Sequence, residues 1–168
     1  MTDADDRANR LRLGIAREFR RRLQGEYVPR ITRLVADLGE YAVWRRPAPN
    51  CNSVGNLLLH LCGNTTQWIL AGLGDATDAR DRPAEFAASG GDGGPALCAR
   101  LAEVVDQACA VVDRLDAAEL LQPRRIQGYS ETGLSAVLHV LEHFSGHAGQ
   151  IYAWTKQVTG EDLRFYDL

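Results

Sequence analysis

The sequence predicts an all-α fold, a four-helix bundle of the up-down-down-up type with a long first helix. Three observations predict it. Four stretches carry apolar residues at the three- and four-residue spacing of helices with a buried face. Segments rich in Pro, Gly and Asn separate them. No stretch shows convincing apolar–polar alternation of the kind a half-buried strand needs. The 168 residues suffice for one core and are short for two, so a single domain is expected over 1–168.

The first helix is expected over about residues 5–40, from the spacing of Leu11, Ile15, Phe19 and Leu23, then Tyr27, Ile31, Leu34 and Leu38. Pro29 lies inside it and should kink or split it. Arg20, Arg21 and Arg22 read as a solvated face, because acidic residues balance them elsewhere. WRRPAPNCNS then breaks the chain, and Asn52 or Ser53 can cap the second helix, over about 53–73 and closing on Gly72 and Gly74. The connection GDATDARDRPAEFAASGGDGG is long for a small domain, which marks it as functional or mobile. Within it, Arg80, Arg82 and Glu85 read as a surface salt-bridge cluster, with an arginine anchoring an anionic substrate as the sharper alternative. The third helix covers about 95–115, with Leu97, Leu101, Val104, Val105, Ala108, Val111, Val112 and Leu115 facing inward. After a connection holding Pro123 and Gly128, Thr132 caps a fourth helix over about 133–158 that stops at Gly160.

Composition excludes several function classes. The net charge of −3 argues against a nucleic-acid surface. No apolar run reaches the roughly 18–20 residues of a membrane span, and MTDADDRANR lacks the apolar core of a signal peptide. Cys51, Cys62, Cys98 and Cys109 form no CxxC pair and read as reduced thiols, so the expected location is the cytoplasm.

The chemistry concentrates in LEHFSGHAGQI. Three of the four histidines, His139, His143 and His147, recur every fourth residue on the last helix. On a wheel centred on His143, His139 falls near about −40°, His147 near about +40° and Gln150 near about −20°. That face borders the buried one. On the second helix, Asn56, His60, Asn64 and Gln67 form a similar polar stripe on an otherwise apolar surface, and such a stripe requires partners. HLCGNTTQW and HFSGHAGQI share a local pattern, as two helices facing one site would. Histidines at i and i+4 can converge on one ion, so His139/His143 or His143/His147 is a usable pair, with His60 as the candidate from a facing helix. Asn56, Asn64, Gln67, His139 and Gln150 are then candidates to line the pocket or support the ligands. Glu142 and Cys62 point off the site face. Ser145, Gly146 and Gly149 leave the far side of the last helix without bulk, as close approach by another helix would require, within the bundle or across a dimer.

At these residues the sequence resembles the DinB-like superfamily. The resemblance rests on His60 in NSVGNLLLHL, on HxxxHxGQI with His143, His147, Gly149 and Gln150, and on DRPAEF after the second helix. It implies a four-helix bundle, often dimeric, with a divalent ion on His60, His143 and His147. Some members of that superfamily are thiol transferases using small thiols such as mycothiol or bacillithiol, and others are metal-dependent isomerases or hydrolases.

The expected function is therefore that of a metal-dependent enzyme, thiol S-transferase-like, activating a water or small thiol as nucleophile at three histidines. Imidazole ligands favour Zn²⁺ or Ni²⁺. The expected partners are a small-molecule substrate, a low-molecular-weight thiol among the candidates, and a second copy of the chain. The alternatives are a binding module that holds a metal and a small molecule without turnover, and an inert structural dimer.

Overall fold

The structure, a computed structural model, describes residues 2–165; residues 1 and 166–168 of the expected 1–168 domain lie outside them. The chain is predominantly helical, with one small two-stranded sheet.

Helix α1 (Asp3–Arg22) starts with Thr2 in a reciprocal cap with Asp5, and acidic residues fill its first turn while arginines fill its last, as the helix dipole favours. A π-helical turn, Leu23–Tyr27, leads directly into α2 (Val28–Val43). Pro29 is therefore accommodated, because the wider turn comes just before it, where the neighbouring Val28 N–H reaches back five residues to Leu23 O. Gly39, at φ 68°, interrupts α2 near its end.

Ser53 and Asn56 cap α3 (Val54–Thr65) reciprocally, and a second π-helical turn, Thr66–Ala71, continues it. The long connection that follows holds a short helix, α4 (Arg82–Ala87), capped by Asp81. Helix α5 (Gly94–Arg114) and the one-turn α6 (Ala117–Leu121) come next.

The connection before the last helix forms a hairpin, β1 (Pro123–Ile126) against β2 (Tyr129–Thr132), which corrects the expectation of no strands. Its turn is Gln127–Gly128, both at positive φ (53° and 85°), the geometry that a two-residue hairpin loop demands. Four-residue strands carry too few side chains to show alternation. Thr132 then caps α7 (Gly133–Thr159), and Gly160 closes it in the left-handed conformation.

One core unites the described residues. Helix α3 packs on α5 and α7, α2 packs on the same two, and α1 lies along α5. Phe19, Leu23, Ile31, Leu58, Leu61, Val105, Phe144 and Ile151 are fully buried, and burying a side chain of this size contributes about 1.5–3 kcal/mol. Burial pushes the Cys62 thiol up to about 12 and the Cys109 thiol up to about 11, so both act as small core residues. Among the described residues no helix is long and apolar enough to cross a membrane. An added Cβ at Gly146 or Gly149 would meet nothing within 4 Å among the described residues.

Candidate metal centre

Helices α3 and α7 pack against each other and bring together the histidines that the sequence separates by more than eighty residues. The His60 ring lies 4.8 Å from that of His143 and 5.0 Å from that of His147, and the latter two are 4.5 Å apart. One nitrogen from each lies within 4.8 Å of the other two, and among the described residues these three form the group that can hold a metal ion.

The protonation chemistry suits that role. His143 Nε2 is buried with no hydrogen-bond partner. Burial, reinforced by His147, His60, His139 and Arg80, pushes His143 down to about 3, so it stays a neutral imidazole with a lone pair to offer. His147 is lowered by burial first and by His60, against a raising contact with Gln150. Its Nδ1 meets Gln150 Oε1 at 3.3 Å, which leaves Nε2 as its open nitrogen. His60 directs Nδ1 at Glu85 Oε2, 2.7 Å away, and so also keeps Nε2 open. Three imidazoles, one buried and two half-buried, with the His143 Nε2 left without a partner, fit a divalent ion.

Glu85 and Arg80 are the site-adjacent residues that sequence reasoning misplaced. They form a buried pair rather than a surface cluster: Arg80 Nε donates to Glu85 Oε1 at 2.7 Å and Arg80 Nη2 to Oε2 at 2.9 Å. Their side chains are only 4% and 9% exposed. Burial raises the Glu85 carboxyl, but hydrogen bonds from His60 and Arg80 and the charge of Arg80 outweigh it, and the group stays ionised below its ordinary range. Arg82 remains exposed, 5.0 Å over the Phe86 ring, which in turn lies 4.6 Å from the His60 ring.

The remaining candidates divide. Asn56 lies at the start of α3 and donates to Glu85 O at 2.9 Å and Ala88 O at 2.7 Å, so it ties down α4. Gln67 accepts from Arg80 Nη1 at 2.9 Å and donates to Asp78 at 2.9 Å. Asn64 meets His139 Nε2 at 3.1 Å and leaves its own Oδ1 buried without a partner. His139 stacks on Trp68 at 3.7 Å, and burial lowers its pKa. Glu142 is exposed and Cys62 stands outside the histidine group. A cavity of about 290 Å³ opens beside the histidines, lined by His60, Asn64, Arg80, Arg82, Gln127, Tyr129, His139 and His143. The unforeseen hairpin thus supplies one wall of it, and Gln127 accepts from the Trp68 indole at 3.3 Å.

A family model described as mycothiol-S-transferase matches residues 24–160. Nothing among the curated proteins matches this chain. Three solved structures resemble it in fold. A conserved protein from Enterococcus faecalis is 17% identical, with a TM-score of 0.71 over 86% of this chain and 97% of its own. A DinB-like protein from Bacillus subtilis is 15% identical, with a TM-score of 0.67 over 92% and 97%. A DinB-like protein from Bacillus cereus ATCC 10987 is 14% identical, with a TM-score of 0.63 over 80% and 87%. With the family match spanning both histidine-bearing helices, the chain belongs to the mycothiol-S-transferase family of the DinB-like superfamily.

Proposed function

We propose that the chain is a metal-dependent thiol S-transferase that joins a low-molecular-weight thiol to a small electrophile, with His60, His143 and His147 holding the ion. The observation that carries this reading is the convergence of three histidine rings, two of which, His60 and His143, line an open cavity. Family membership supports a thiol as the nucleophile's source. When bound, a divalent ion on neutral ligands supplies an undiminished positive charge that lowers the pKa of a thiol placed against it. Zn²⁺ or Ni²⁺ suits imidazole nitrogen.

The chain's own residues do the rest. Helices α3 and α7 fix the three rings, so little reorganisation remains for the reaction. Thiol and electrophile occupy the cavity between the rings and the hairpin, where Arg82, Gln127 and Tyr129 offer polar contacts. The S–C bond forms as the electrophile's leaving group departs with its electron pair, and the thiol's proton goes to a base. His139, held at the cavity edge between Trp68 and Asn64, is the residue placed to take it. Among the described residues the cavity wall carries no carboxylate, which keeps a second reading in play, a module that binds metal and thiol without turnover.

The assembly completing this reading is a cytoplasmic homodimer of four-helix-bundle domains. The small residues Gly146 and Gly149, with space around them, support an interface on this face of α7. Incubating metal-loaded protein with mycothiol or other small thiols and a bimane electrophile tests the reaction. Thioether formation over many turnovers, abolished by a chelator, is expected. Stoichiometric binding without product would favour the binding module.

A further inference from the structure

We infer that Glu85, braced by Arg80, is a positioning residue for the metal centre: it holds His60 as the Nδ1–H tautomer, so that Nε2 faces the ion. This rests on the metal reading proposed above and adds to it a residue that is no ligand.

The tautomer follows from geometry. His60 Nδ1 has two polar neighbours, Glu85 Oε2 at 2.7 Å and Arg80 Nη2 at 3.0 Å. A bare Nδ1 would point its lone pair at a carboxylate oxygen at the shorter of these distances, which is repulsive. A protonated Nδ1 donates to that oxygen, and the Arg80 N–H finds its acceptor in the same Oε2, 2.9 Å away. The Nδ1–H arrangement gives each of the three groups a partner, and in it the Nε2 lone pair is the one a metal ion can take.

The surrounding chain is built to deliver this one carboxylate. A Cβ on Gly63 would lie 1.9 Å from Glu85 Oε1, so the carboxylate reaches His60 only because α3 is bare three residues further on. Asn56 holds the α4 carbonyls, Gln67 holds Arg80, and Asp78 accepts from both Gln67 and the Arg80 backbone. A buried carboxylate is strongly disfavoured unless it is paired and hydrogen-bonded. Here the pairing comes from a segment that contributes little else to the core.

The test uses full-length protein with two independent lesions. Gly63→Ala displaces the carboxylate while leaving every ligand and charge in place. Glu85→Gln removes the charge, and the double variant Arg80→Gln with Glu85→Gln avoids a stranded buried arginine should the single variant fail to fold. Side-chain ¹⁵N spectra of the metal-free protein report which His60 nitrogen carries the proton, and competition with a chromophoric chelator reports Zn²⁺ affinity. The wild type is expected to show Nδ1–H at His60. The variants are expected to show a mixed tautomer and about 10- to 100-fold weaker Zn²⁺ binding with unchanged helicity. Nε2–H in the wild type, or wild-type affinity in Gly63→Ala, would overturn the inference. A wild type that takes up no Zn²⁺ would instead overturn the metal reading, and the tautomer measurement would still decide the role of Glu85.

Discussion

Helices α3 and α5 lie side by side in the core, yet they are built on opposite rules. The buried face of α5 is Leu97, Cys98, Leu101, Val105, Ala108, Cys109, Val111 and Val112. The buried surface of α3 is as deep but includes Asn56, His60, Asn64 and Thr65. A buried polar group without a partner costs about 1–3 kcal/mol. The 78–88 segment and α7 answer most of the α3 groups, while Asn64 Oδ1 and Thr65 Oγ1 have no partner. The difference separates two tasks: α5 stabilises the fold, and α3 gives up part of that stability to place His60 and its polar neighbours in the interior.

Variants of the two helices should therefore fail in different ways. Leu101→Ala, at a position 1% exposed, should cost about 2–5 kcal/mol with and without metal alike, and leave the gap between the two states unchanged. His143→Ala should do the reverse and close that gap. Zn²⁺ at a thousandfold excess over its Kd adds about 4 kcal/mol to the wild type, roughly a 10 °C rise in Tm. Thermal unfolding with and without chelator checks both. A metal-dependent Tm that persists in His143→Ala would break the division.

Acid should sharpen the same contrast in metal-free protein. His143 titrates near 3 in the fold and near 6.5 when unfolded, so below pH 6.5 the unfolded chain binds the extra proton. Stability is then fully present above about 6.5 and falls as pH drops toward 3, by about 1 kcal/mol per unit for this residue. His147 and His139, both lowered, act in the same direction. Urea unfolding at pH 7.5, 6.5 and 5.5 should show the loss, and His143→Asn should reduce it, leaving the share of His147 and His139. An equal slope in that variant would remove His143 from the cause. The smallest effect belongs to the cap of α7. Thr132→Ala should cost about 1 kcal/mol and leave metal binding unchanged, because Thr132 orders the helix start and touches no histidine.

Much of this was legible in the sequence because it is local. The spacing in α5, the capping residues Ser53 and Thr132 and the stop at Gly160 each depend on residues within a turn or two. The histidine pair on α7 was legible for the same reason, and His60 stood out as the one histidine elsewhere. What stayed hidden was non-local. Glu85 meets His60 across 25 residues, and charged residues in a long connection ordinarily lie in water. Gly63 gives no sign in sequence of the carboxylate that passes it. The hairpin was too short to announce itself, and the two π-helical turns change side-chain directions that a regular wheel assigns. The second turn contains Trp68, which stacks on His139, so the helix irregularity adjoins the site.

The most direct measurement of the central claim is metal content per folded chain, read by mass spectrometry after reconstitution with Zn²⁺ and removal of excess. One ion is expected in the wild type and well under a tenth of that in His60→Ala, His143→Ala and His147→Ala alike. A full complement of metal in any one of the three, with its helicity intact, would contradict a single centre held by all of them.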